Sequence, residues 1–478
     1  MEPSVIDLFE KDDILHFTIN NINVSFVNAL RRVILSDIPT IVIRTTPYEK
    51  NDAIIETNTS LFHNEILKHR LSCIPIYHIN KLLLNELLYI PTDKLLEELA
   101  DYVVEVNVVN NTEQVVYVTT GDFKIKYLKT NKYLDESVVS KVFPKNEITQ
   151  HFIEFCKLKP KYSENIVGEQ LTLTAKFSVG SASENGSFNV VSLCSYSCTL
   201  DNFAIDKAKQ EKLEELQSKY TDDKEIEYLI TDWLLLDAKR IVIPNSFDFR
   251  IKTLGVFTNY EIILKAIKII IYRLLEIKKI YSTQNDLIIN SINTVENCFD
   301  IILKTEDYTI GKILEYSLYE LYYNTTKTLT FCGFKKPHPH IDESIIRIAF
   351  NTPVDKSLII NYITSAADYA IEYFKKLLPN FGELNPDELE ILNKSIPLIK
   401  VPSQAPMSQA PMSQAPMSQA PMSQAPMSQV PMSQVPMSQV PLETIPEGTQ
   451  EATPDGTPEG TPEATPDGTP EAISQESV

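Results

Sequence analysis

Apolar and polar residues alternate from Ile14 to Ile19, and the period then changes, with Phe26, Ala29, Leu30, Val33 and Ile34 recurring at spacings of three and four. The first pattern predicts a half-buried strand and the second a helix with one apolar face, which Ser25 is placed to cap and Pro39 to end. The same change recurs downstream. Phe247, Phe249 and Ile251 alternate, and after Gly255 a long helix is expected over about 260–279, carrying Ile263, Ile267, Ile270 and Leu274. Phe299, Ile301 and Leu303 alternate again, Thr309 is placed to cap a helix bearing Ile310, Ile313, Leu314 and Leu318, and Thr330 to Phe334 and Ile345 to Phe350 read as strands. After Pro353 a last long helix carries Ile359, Tyr362, Ile363, Ala366, Ala370, Tyr373, Phe374 and Leu377 on one stripe.

The order strand, helix, strand, long helix therefore occurs twice, and helices with such wide apolar faces must bury them. Two copies in one chain predict an intrachain pseudo-dimer, each long helix packing on the other block as in an isologous pair. The expected fold class is α+β. Residues 1–48 and 238–285 form a first, discontinuous dimerisation domain, and 286–385 form the second. Residues 49–237 are a strand-rich insert domain, with alternation at 102–109, 115–118 and 171–177 and one charged helix near 208–219. The expected core of the pair is Leu30, Ile34, Ile263, Ile267, Ile270, Leu274, Ile313, Leu314, Ile359, Ile363, Ala366, Ala370 and Phe374.

Residues 386–478 read as a linker and a disordered repeat tail. Ser-Gln-Ala-Pro-Met units recur from Ser403 to Met427 and Ser-Gln-Val-Pro units to Pro441. Proline at every fifth position removes backbone donors, and the later Thr-Pro-Glu/Asp-Gly units add charge without apolar bulk. A proline-recognition ligand is the functional alternative for this segment. The formal net charge is -20, and nine of the acids follow Lys400, where no Lys or Arg offsets them. A chain of that balance is a poor wrapper of polyanions, so little direct nucleic-acid contact is expected. Cys73, Cys156, Cys194, Cys198, Cys298 and Cys332 are too scattered for a disulfide framework. The first residues are acidic where a signal peptide is basic. The most apolar stretch, 262–280, is interrupted by Lys265, Lys268, Arg273, Glu276, Lys278 and Lys279, so no membrane span is expected and an intracellular protein is the default.

The segment from Asn28 through Ala29, Leu30, Arg31 and Arg32 to Asp37, Ile38, Pro39 and Thr40 resembles the first signature helix of the bacterial RNA polymerase alpha subunit and its archaeal and eukaryotic counterpart, the third subunit of RNA polymerase II. His63 to Ile76 resembles the arginine-leucine-glycine-leucine-isoleucine-proline turn of that family around Arg70 and Leu71, departing from it at Ser72 and Cys73. Gly168 to Lys176 resembles the family's insert-domain strand. Thr305 to Leu314 and Cys332 to Pro339 resemble the smaller partner, the eleventh subunit. The resemblance covers roughly residues 10 to 380, in the order of a fused heterodimer, and such a fusion is similar to the polymerases of large cytoplasmic DNA viruses. It implies a non-catalytic subunit of a DNA-directed RNA polymerase, an assembly platform for the two largest subunits with small accessory subunits alongside. If viral, it would reside in the host cytoplasm and the virion. It also implies that Asn28, Arg31, Arg32 and Arg70 face those large partners.

The residues themselves allow other readings. Arg31 and Arg32 are suited to bidentate contacts with carboxylates or carbonyls, yet taken alone they are two solvated helix charges. Glu306 and Asp307 precede a helix start, which capping and the helix dipole explain. Gly311 in a first turn points to close backbone packing. Cys194 and Cys198 lie ~13 Å apart along an expected strand at 190–200, too far for a shared zinc without distortion. His338 and His340 have no third ligand near them in sequence. No glycine-rich phosphate loop, nucleophile elbow or paired-aspartate motif is present, so no catalytic, cofactor-binding or metal residues are expected. The competing functions are a nucleic-acid-binding transcription factor, whose basic stripe is not met by the short clusters Lys141 to Lys145 and Lys335 to Lys336, and a thiol enzyme with a Cys and His pair.

Overall fold

The computed structural model describes residues 2–77, 97, 99–163, 167–292 and 295–382; the repeat tail lies outside the described residues. The chain opens with the hairpin β1 (Ser4–Lys11) and β2 (Ile14–Asn20), followed by helix α1 (Val24–Ser36). The cap of α1 is Asn23 rather than Ser25: its carboxamide oxygen accepts from the Ser25 amide at 2.9 Å, which puts Ser25 inside the first turn. Residues 40–42 form the short strand β3.

The insertion then builds its own core. β4 (Ala53–Asn58), α2 (Asn64–Ser72), β5 (Tyr102–Val109), β6 (Val116–Thr119), β7 (Lys124–Tyr127), β8 (Lys132–Tyr133), α3 (Glu136–Val142), β9 (Glu154–Leu158), β10 (Gln170–Lys176) and β11 (Ser178–Gly180) follow in order. A five-stranded antiparallel sheet runs β4-β10-β5-β7-β8, with ribbons β6-β9 and β11-β3 beside it. Leu171, Leu173 and Ala175 alternate into this core beside Val104, Val106, Phe123 and Phe155. Asn110 is wholly buried yet satisfied: its amide donates to the Gln114, Leu158 and Lys159 carbonyls at 2.8–2.9 Å, and its oxygen accepts from the Thr112 amide and hydroxyl. A Cβ on Gly168 would fall 1.6 Å from the Asn110 carbonyl oxygen, so only glycine fits where β10 approaches that turn.

Strand β12 (Val191–Leu200), counted in the insertion by sequence, pairs instead with β13 (Val242–Thr253), giving a four-stranded sheet β1-β2-β13-β12. Its buried side chains Val191 and Cys194, brought to one face by the irregularity between Val191 and Leu193, join the core of the first block. Between these strands stand two helices, α4 (Asn202–Lys219) and α5 (Asp223–Leu235), where one was expected. The break falls at Asp222, which caps α5 through the Lys224 amide at 3.0 Å.

Helix α6 (Asn259–Thr283) starts at a capping box formed by Thr258 and Glu261. It is buried nearly all round, because α1, sheet one and the last helix each cover a side. Lys265 lies with its ammonium 4.3 Å from the Phe257 ring centre. The chain continues through β14 (Ile288–Asn290), β15 (Cys298–Leu303), α7 (Tyr308–Leu318), a π-helical turn at Tyr319–Thr325, β16 (Leu329–Lys335), β17 (Ser344–Phe350) and α8 (Lys356–Leu377). The second sheet runs β14-β15-β17-β16, all antiparallel. Asp307, not Thr309, caps α7, accepting from the Thr309 amide at 2.8 Å.

In the second sheet Asp300 and Arg347 face each other in register and share two hydrogen bonds, 2.6 and 2.7 Å. Those bonds, working against burial, hold the Asp300 carboxyl below its ordinary value. A carboxylate whose folded value is depressed contributes stability that is whole above its unfolded value, about 3.9, and is lost as pH falls through the folded one. Asp300→Asn should therefore be less stable than the parent at pH 7, and chemical unfolding from pH 7 downward should show the gap narrowing below about pH 4; a gap independent of pH would refute this. At Gly311 a Cβ would sit 2.0 Å from the Phe334 ring. Gly311→Ala is expected to lower stability by up to about 2 kcal/mol in urea unfolding despite alanine's better helix propensity, since overpacking costs about 1–3 kcal/mol and propensity returns ~1 kcal/mol.

Candidate subunit interface

Charges gather where α1, α6 and α7 meet. Arg273, three-fifths of the way along α6, donates from Nη1 to Asp37 at the end of α1 at 2.7 Å. Its Nε and Nη2 grip Glu306, just ahead of α7, with Nε–Oε1 at 3.3 Å. All three side chains are mostly buried. Burial alone would pull the Arg273 guanidinium down, but the charges of Glu306 and Asp37 outweigh it and hold it above its ordinary value. Burial pushes the Glu306 carboxyl up, against the attraction of Arg273. Glu306 is thus no cap, whereas its neighbour Asp307 is.

A second tie runs beside the first. Arg32 Nε donates to the Thr309 hydroxyl at 2.8 Å and Nη2 meets the Asp307 carboxylate. Burial opposes ionisation of Asp307, but the Thr309 hydroxyl and amide and the Arg32 charge prevail and hold its carboxyl low. Arg32, read from sequence as reaching toward a separate chain, spends its guanidinium on the second block of its own.

Around these charges the apolar residues close up. Leu30, Ile34, Ile263, Ile267, Ile270, Leu274, Ile313, Leu314, Ile359, Ile363, Ala366, Ala370 and Phe374 are all buried in one continuous core. Helix α8 lies along α6 and α1 lies on α7. Phe26 of α1 meets Tyr316, Tyr373 and Phe374, and Phe17 of β2 meets Phe381 beyond α8 edge to face. The Tyr281 hydroxyl donates to the Ile302 carbonyl at 2.7 Å.

The outer side of α1 is open. Asn28 borders a groove of about 480 Å³ shared with Asn23, Tyr196, Lys312, Glu315 and Tyr319. Arg31 donates to Asn28 at 3.2 Å, and among the described residues no carboxylate pairs with it. Arg70 stands on α2 in the insertion, exposed, donating to the Glu154 carbonyl at 2.6 Å and lying over the Phe62 ring. The structure thus brings Asn28 and Arg31 together, turns Arg32 inward, and sets Arg70 on another body of packing.

Reactive chemistry finds little footing. Burial pushes the Cys156 thiol up to about 11 and the Cys194 and Cys332 thiols up to about 12, which favours the unreactive protonated form. Cys194 is buried and Cys198 exposed on β12. His338 and His340 sit with ring centres 5.0 Å apart, and among the described residues no group of three or more His, Cys, Asp or Glu is placed to hold a metal. No described helix is long and apolar enough to cross a membrane.

Sequence reasoning missed Arg273 as a functional residue, although its signal was present: a charge inside an apolar helix must be paired where it is buried. Arg273→Ala leaves Glu306 and Asp37 without their cation, and urea unfolding should show a loss of about 3 kcal/mol. The pair Arg273→Met with Glu306→Leu should regain much of that loss; if the double variant is as unstable as the single, the charges are not the reason for the effect.

The chain matches the model of the RNA polymerase Rpb3/Rpb11 dimerisation domain over residues 16–274. DNA-directed RNA polymerase subunit Rpo3 of Pyrococcus furiosus is 25% identical over 279 residues, 55% of this chain and 91% of that protein. The subunit 3 of DNA-directed RNA polymerases II, IV and V of Arabidopsis thaliana is 39% identical over 66 residues, 14% of this chain and 18% of that protein. Subunit Rpo3 of Pyrococcus horikoshii is 32% identical over 120 residues, 24% and 38% respectively. The chain thus spans nearly all of the first relative and less than two fifths of each of the other two. The family match stops inside α6, ahead of the second block. With more than half of its residues matched, the chain belongs to the RNA polymerase Rpb3/Rpb11 dimerisation-domain family.

Proposed function

We propose that this chain is a non-catalytic assembly subunit of a DNA-directed RNA polymerase, in which a third-subunit-like module (1–48 and 238–285) and an eleventh-subunit-like module (286–385) form a pseudo-dimer within one polypeptide. The carrying observation is the single core into which both blocks send their helices, ringed by the Arg32 and Arg273 ties. The names of the relatives, all polymerase subunits, support the setting. On this reading the paired body is a rigid surface for the two largest subunits, contacted through Asn28 and Arg31 and, from the insertion, Arg70, while smaller subunits dock alongside. The fused order, with its resemblance to polymerases of large cytoplasmic DNA viruses, supports a viral source, with the host cytoplasm and the virion as its places.

The test is co-expression of tagged chain with the two largest subunits. The unmodified chain should co-purify with both. Arg31→Glu should cut recovery at least tenfold while leaving the thermal melt unchanged, because Arg31 has no ion pair among the described residues to lose. Undiminished recovery would exclude the outer face of α1 as the contact.

A further inference from the structure

Helices α4 and α5 form a hairpin that springs from the paired ends of β12 and β13, where Leu200 and Val242 face each other and the Asp201 amide donates to the Ile241 carbonyl at 3.1 Å. It has a small core of its own, Leu216, Ile226 and Ile230, separate from both larger ones. Large apolar side chains are nevertheless left in water. Phe203 is 84% exposed, Tyr228 71%, Leu235 57% and Leu236 60%. On α5 the exposed residues Glu225, Tyr228, Asp232 and Leu235 follow at spacings of three and four, so acid, ring, acid and aliphatic chain share one stripe. Three of the apolar residues, Phe203, Leu235 and Leu236, lie within a few residues of the hairpin base, near the exposed Leu200 and Ile243.

Exposed apolar side chains set among acids in this way form a contact surface for a partner. Its charge says which kind. Between Asp201 and Asp237 eleven acids stand against five lysines, and α5 alone carries four acids and one lysine. The chain's own segment beyond Lys400, with nine acids and no Lys or Arg, carries the same sign, and a second copy would bring the same acidic hairpin. Both are repelled. We propose that the α4–α5 hairpin docks a cationic, amphipathic segment of another polymerase subunit, whose Lys or Arg side chains meet Glu225 and Asp232 and whose apolar side chains cover Tyr228, Leu235 and Leu236. This rests on the polymerase reading above and adds to it a place and a chemistry for a further subunit.

The geometry offers a clean test. Because Leu200 and Val242 already pair, residues 201–241 can be replaced by Asn-Gly, a two-residue turn that closes antiparallel strands. The complex purified through a tag on this chain is compared for the parent, the Asn-Gly variant and Glu225→Lys with Asp232→Lys. The expected result is that both variants keep the parent's main thermal transition and both largest subunits but lose one smaller subunit at least tenfold. In the parent, carboxylate-to-amine cross-linking should join Glu225 or Asp232 to lysines of that same subunit. Retention of every subunit by the Asn-Gly variant overturns the proposal and leaves the platform reading standing. So do cross-links from Glu225 and Asp232 that reach only this chain or a second copy of it. A parent chain that binds neither large subunit overturns the platform reading and this proposal together.

Discussion

One helix cannot be left in water, and the architecture follows from that. Along its 25 residues α6 turns isoleucine, leucine and alanine in nearly every direction, so no single sheet or helix can cover it. Sheet one takes one side and α1 another, but the remainder is taken by α8, which lies about a hundred residues further on. Burial at roughly 25 cal/mol per Å² makes this contact strong without making it specific, because apolar surfaces slide over one another at little cost. Arg273 supplies what the oily faces lack. A buried cation held by Asp37 on one side and Glu306 on the other has one satisfying position, so it fixes how α1, α6 and α7 sit together even where its net stabilisation is small.

Most of the elements around this seam were legible as periodicity. The strands at 14–20, 298–303 and 344–350 and the long helix at 356–377 each bury one face or stripe, which alternation or three-four spacing reports directly, and the helix at 259–283, buried nearly all round, shows as a long apolar run. Caps were less legible because several residues near each start could serve: Ser25 and Thr309 each have a polar neighbour two positions earlier that does the work. Of the hairpin at 202–235 the sequence shows one charged helix near 208–219, inside α4; α5 escapes it, because a core of only Leu216, Ile226 and Ile230 imposes no long apolar stripe.

What sequence could not supply was pairing between distant residues. An arginine beside an apolar helix face looks the same whether it reaches a separate chain or a later part of its own. Arg31 and Arg32 are neighbours of identical type, yet a rotation of about 100° along the helix sends one to Asp307 in the second block and the other to Asn28 on its own helix. The strand at 191–200 was assigned to the insertion for a related reason. Residues 190–200 read as a strand, but only hydrogen bonding to β13 says in which sheet.

On the proposed reading, joining the two blocks in one chain changes what the seam has to do. Two separate subunits must offset the lost freedom of association, several kcal/mol at a 1 M reference, before their interface contributes any net affinity. Here the second block follows α6 after only a few residues, and part of that passage is itself ordered: Leu287 and Ile288 are buried and β14 adds a strand to the edge of the second sheet. A short link of this kind holds the halves at high effective concentration, so the interface is relieved of providing affinity. Its polar ties, Arg32 to Asp307 among them at more than a third exposed, can then be weak individually and still do their task, which is to choose one alignment among several oily ones. That alignment is what a platform must deliver, since the positions of Asn28 and Arg31 on its outer face are set by how α1 sits on α7.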